Sequence, residues 1–146
     1  MPGQLTFTVG GDGPLIDVEV KPSLPYQSVL AANIPHNIPS VTLPFLLDTG
    51  SPYCVVDGDF IATWPLRKVN PVAMQTGAQT GQGWWHDLSL RLHTNAGNGW
   101  PRGIVKVAAL PGHFAKEPHK GIIGRNILFM GSFQFDRGTK VFSIWW

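Results

Sequence analysis

The apolar residues of this chain come in short alternating runs, each cut by glycine or proline before it reaches helical length. Leu5, Phe7 and Val9 alternate with Thr6 and Thr8, and Leu88, Leu90 and Leu92 alternate with Ser89 and Arg91. A period of two places one set of side chains on one face of a strand, so these segments read as half-buried strands. The 17 Gly and 13 Pro supply turns between such runs, which favours a mainly β chain of short strands. At 146 residues a single domain spanning 1–146 with one core is expected.

Residues 5–9 and 15–20, separated by Gly10-Gly11-Asp12-Gly13, carry a hairpin signature. Residues 22–44 hold Pro22, Pro25, Pro35, Pro39 and Pro44, each lacking a backbone donor, and read as edge strand or extended loop. Phe45-Leu46-Leu47 reads as a strand buried on both faces that stops at Asp48-Thr49-Gly50-Ser51-Pro52, and residues 53–56 are apolar again. A helical turn over 59–64 is expected, capped by Asp59 and ended by Pro65. Residues 69–74 and 85–92 flank the uncharged, glycine-containing segment 75–83, a hairpin pattern. A strand over 104–109, a loop to Lys120, one short helix in 125–130 and a closing hairpin of 133–136 with 141–145 complete the expectation.

Charge and composition remove several classes of function. The 11 Lys and Arg are scattered, with Arg67-Lys68 the only adjacent pair, so no basic stripe collects phosphates and nucleic acid is not expected as a partner. The lone Cys54 excludes an intrachain disulfide and reads as a small buried hydrophobe. Five scattered histidines show no metal-ligand spacing, and His86 and His93 fall on opposite faces of one strand, so neither metal nor cofactor is expected. No apolar run approaches the roughly 18–20 residues of a membrane span, and Met1-Pro2-Gly3-Gln4 does not open a secretory signal, which leaves the cytoplasm as the default compartment. Asp57, Asp59 and Asp87 read as solvated or turn residues, Trp84 and Trp85 as facing opposite ways, and Trp145 with Trp146 as an aromatic end suited to a dimer interface.

Asp48 carries the chemical signal. It follows an apolar strand, and Thr49 and Gly50 put a hydroxyl and a backbone donor beside it without bulk. A carboxylate that activates water needs a second carboxyl close by, so that the two cannot both ionise and one keeps a proton to donate. No second Asp-Thr-Gly or Asp-Ser-Gly exists here, since Asp136-Arg137-Gly138 carries a long cation in the middle. The partner carboxyl must then come from another molecule, and a two-fold axis brings the same residue from both copies together.

Phe45-Leu46-Leu47-Asp48-Thr49-Gly50-Ser51, followed about seventy residues later by Gly121-Ile122-Ile123-Gly124-Arg125-Asn126-Ile127-Leu128, resembles the retropepsin-type aspartic proteases. The resemblance implies an all-β acid-protease fold, a closed barrel-like lobe that forms half of a dimeric enzyme. It implies Asp48 as the catalytic carboxylate, Thr49 as a brace to the other subunit's loop, Gly50 as room for water and substrate, and Ser51 as a hydrogen-bond donor to the carboxylate with an acidic pH optimum. It implies Ile122, Ile123 and Gly124 as a platform under the aspartate loop. Gln75, Thr76, Gly77, Ala78, Gln79, Thr80, Gly81, Gln82 and Gly83 become a flap over the peptide. Pro52 stands where the family often has an acid to pair the arginine that is Arg125 here, leaving Asp57 and Asp136 as candidate partners. The expected function is a homodimeric endopeptidase acting on peptide or protein substrates; the alternative is a silent domain of the same fold that dimerises or binds a peptide.

Overall fold

The alternation seen in the sequence becomes burial in the computed structural model, which describes residues 3–33, 37–76, 78–93 and 99–146. The described residues form β1 (Gln4–Thr8), β2 (Leu15–Pro22), α1 (Leu24–Asn33), β3 (Val41–Leu47), β4 (Cys54–Asp57), β5 (Asn70–Thr76), β6 (Gln79–His93), β7 (Gly99–Leu110), β8 (Gly121–Ile123), α2 (Arg125–Leu128), β9 (Ser132–Asp136) and β10 (Val141–Trp145). Ile16, Val18 and Val20 of β2, Leu43, Phe45 and Leu47 of β3, and Leu88, Leu90 and Leu92 of β6 all turn inward into one core with Val56, Val107 and Ile123. Their intervening partners stay at or near the surface.

Hydrogen bonding orders one sheet as β2-β3-β8-β4-β7-β6-β5, and β2 pairs again with β6. That second pairing closes six strands into a barrel and leaves β5 outside it as the free arm of a hairpin with β6. Closure removes the open edges that a long sheet would expose. The strands β3 and β8, and β4 and β7, run parallel, while the other pairs are antiparallel. A second sheet, β1-β10-β9, joins the same core through Leu5, Phe142 and Ile144.

Several local expectations are corrected by long-range pairing. Residues 5–9 and 15–20 do not form a hairpin: β1 pairs with β10, and β2 enters the barrel beside β3 and β6. The proline-rich stretch is not extended throughout, because α1 occupies its first half. Pro25 sits in the first turn of α1, where no intrahelical donor is needed. The turn after β4 is a 3-10 helix, Gly58–Ile61, capped by Asp57 rather than Asp59. Asp57 is accordingly buried, and its carboxylate accepts from the N–H of Asp59 and of Gly112, both at 3.0 Å. The final two tryptophans are not an open edge: β10 is the middle strand of its sheet, and Trp146 stacks on Trp100 with ring centroids 5.0 Å apart.

Candidate active site

Asp48 follows β3 directly, and the main chain fixes it from three sides. Its N–H donates to the Ile123 carbonyl of β8 at 3.0 Å, its own carbonyl accepts from Ser51 N–H at 3.2 Å, and its Oδ1 accepts from Gly50 N–H at 2.8 Å. The last contact explains the glycine, since a Cβ at position 50 would stand 3.0 Å from that same Oδ1. Thr49 is exposed beside it. The Ser51 hydroxyl donates to the Tyr53 carbonyl at 2.7 Å, so the carboxylate bond expected from Ser51 is made by the Gly50 backbone instead.

The second sequence motif lies against this loop. In register, Ile122 pairs with Leu46 of β3 and Val55 of β4, and Ile123 pairs with Leu47. Both isoleucines are buried, Ile123 in the main core and Ile122 in a second apolar cluster with Val55, Ala108, Leu110 and Phe114, and Ile122 also borders the cavity over Asp48. Arg125 N–H donates to Ser51 O at 2.8 Å and Asn126 N–H to Pro52 O at 3.3 Å. The Asn126 side chain accepts from Cys54 N–H and donates to Lys106 O, each at 3.0 Å, tying the loop's exit to β7. Gly124 has no room for a side chain, because a Cβ there would run into the Tyr53 carbonyl and sit 2.8 Å from that of Ser51. The Arg125 guanidinium reaches neither Asp57 nor Asp136: it lies 6.0 Å from the Phe129 ring centroid, and among the described residues the one ion pair is Lys21–Glu19.

A cavity of about 640 Å³ opens over Asp48. Its floor is Leu46, Asp48, Gly50, Ser51, Pro52 and Ile122, and its roof is Met74, Gln75, Ala78 and Gln79 from the β5–β6 hairpin. A third wall comes from the loop between β7 and β8, with His113, Phe114, Glu117 and His119. Of the expected flap residues, Gln75, Ala78 and Gln79 thus face the site. Gly81 is buried with Leu110 and His113 against it, Thr80 is exposed, and Gln82 and Gly83 line a different hollow beside Pro111. Gly77 lies outside the described residues, as does the side chain of Thr76. Met74 and the β7–β8 loop were not marked by the sequence, because no motif announces a loop that is brought to the site by two distant strands. Neither Trp84 nor Trp85 lines the cavity; Trp85 packs edge-on against Tyr53 at 5.0 Å, and Trp84 borders a hollow with Trp64 and His86.

Asp48 also borders a second hollow, of about 410 Å³, on the side of the β1-β10-β9 sheet. Thr49, Leu47, Val9, Pro14, Phe133, Phe135 and Phe142 complete its lining. β9 is the edge of its sheet and is exposed throughout, including Phe133 and Phe135. No group of three or more metal-ligating side chains occurs among the described residues.

The fold is that of the retropepsin-like aspartic proteases. A solved retropepsin-like aspartic protease from Rickettsia conorii matches over 100% of this chain and 92% of its own, with a TM-score of 0.58 and 13% sequence identity. At that identity the likeness is one of architecture, and this chain is a divergent example of it. No family model and no curated protein matches the sequence. No helix among the described residues is long and apolar enough to cross a membrane.

Proposed function

We propose that this protein is an aspartic endopeptidase whose active form is a homodimer, each copy supplying one Asp48. The observation that carries the reading is the position of Asp48 between two hollows, one under the β5–β6 hairpin and one against the exposed phenylalanines of β9. The first accommodates an extended peptide between roof and floor, where backbone hydrogen bonding to the hairpin supplies affinity. The second is the face for another copy, since an exposed aromatic strand edge beside the aspartate gains most by being covered.

At the shared axis one Asp48 is ionised and takes a proton from a water molecule. The water oxygen attacks the peptide carbonyl carbon, and the protonated Asp48 of the other copy gives its proton to the carbonyl oxygen. Collapse of the tetrahedral intermediate returns a proton to the departing amine and leaves a carboxylic acid, with no covalent enzyme adduct. Gly50 N–H orients the carboxylate, and the hairpin excludes bulk water. The catalytic roles of Thr49 and of the Ile122, Ile123 and Gly124 platform are support: one across the axis, the others beneath the loop.

A peptide library incubated with the wild type and with Asp48→Asn tests the reading. Cleavage that stops in the variant and is blocked by a pepstatin-type inhibitor supports the enzyme. Peptide binding without cleavage at any pH supports the silent binding domain instead.

A further inference from the structure

The loop between β7 and β8 walls the cavity yet takes no part in the chemistry above. It is pinned from within: the Lys120 ammonium donates to the carbonyls of Phe114 at 2.8 Å and Glu117 at 2.9 Å, and Lys120 N–H donates to Pro44 O at 2.7 Å. The buried Phe114 ring packs against His113 and His119, with centroids 5.0 and 5.3 Å away. A wall fixed in this way need not be ordered when a ligand arrives.

The loop itself carries Lys116 and Lys120 against Glu117, but the side chains that line the cavity run against the charge of the chain. The protein has 11 Lys and Arg against 9 Asp and Glu, but no lysine or arginine lines the cavity among the described residues; its charged side chains are Asp48 and Glu117. Lys120 directs its cation to main-chain carbonyls, and the Glu117 carboxylate has no ion-pair partner among the described residues. His119 adds no compensating charge near neutral pH. Burial of its ring lowers its pKa from the ordinary 6.5, Lys120 acts in the same direction, and Glu117 and Asp48 pull the other way. Its Nδ1 is buried with no hydrogen-bond partner among the described residues.

We propose that Glu117 is a specificity-determining residue of this cleft, selecting peptides that place a lysine or arginine side chain along the β7–β8 loop. The inference rests on the protease reading and deepens it, adding a basic side chain to the peptide that the cleft takes. The side-chain stem of Lys or Arg packs on Phe114 and Ile122, while its charged head meets the Glu117 carboxylate.

The test compares peptides that differ only by lysine, norleucine or glutamate at each position around the cut, measured as kcat/KM for cleavage and as affinity of uncleavable reduced-amide versions. At one position the wild type prefers lysine by about fivefold at low salt, as befits a solvent-accessible ion pair, and the preference shrinks with added salt. In Glu117→Gln the ratio falls to about one, and in Glu117→Lys it turns toward glutamate at that position. Cleavage with no basic preference anywhere, or a preference unchanged in Glu117→Gln, overturns the subsite and leaves the protease reading standing. Lysine-selective binding that depends on Glu117 but comes without cleavage upholds the subsite and overturns the protease reading. If the peptides are neither bound nor cut, both fall.

Discussion

The main-chain N–H of Arg125 donates to the carbonyl of Ser51 at 2.8 Å. Through this bond, and the parallel one from Asn126 to Pro52, the segment after β8 satisfies carbonyls that the tight turn after Asp48 would otherwise leave without partners. Two motifs far apart in sequence are therefore one structural unit. The aspartate's position depends on both.

Gly124→Ala tests that unit. A Cβ would press on the Tyr53 and Ser51 carbonyls, which are backbone atoms and cannot swing aside. The substitution should cost about 1–3 kcal/mol in denaturant unfolding through overpacking, and lower kcat/KM at temperatures where the variant is still folded. A variant as stable and active as wild type would show that the loop is not clamped there.

Cys54 should be inert in the folded protein. It is fully buried at the start of β4, and burial pushes its thiol pKa up to about 12, with Gly124 N–H pulling weakly the other way. The thiolate is the reactive form, so a thiol reagent at pH 8 should label Cys54 only after denaturant is added. Rapid labelling of the native chain contradicts this.

Asp136 sets an acid limit on the terminal hairpin. Its carboxylate accepts from the N–H of Thr139 and Gly138, which holds its pKa below the ordinary 3.8. A depressed folded pKa means that the stabilisation is present above the unfolded value and is lost as pH falls through the folded one. Asp136→Asn should therefore narrow the gap in melting temperature between pH 6 and pH 3. Equal gaps in the two proteins would show that the turn does not need the charge.

Much of the fold was legible because alternation reports burial directly. Leu88, Leu90 and Leu92, the 75–83 hairpin region, the helix at Arg125 and the last hairpin all appear where the pattern put them. Strand partners were less legible. Leu5 to Val9 alternates equally well beside β2 or β10, and only the closed barrel decides between them. The helix α1 was hidden by prolines that flank it or sit in its first turn, where they are harmless. At the site, Asp48 and its glycine were written in the motif. Glu117 and His119 were not, since their place beside the cavity follows from where strand pairing lands the loop.

If two copies each give one carboxylate to a single site, mixing wild-type and variant subunits exposes the requirement. Wild type and Asp48→Asn are co-refolded in varying proportions, the dimer is confirmed by solution mass, and cleavage is measured. A dimer needing both carboxylates predicts activity that follows the square of the wild-type fraction, about a quarter of full activity at equal mixing. Activity that falls in simple proportion to that fraction, or a monomer that cleaves, contradicts the account.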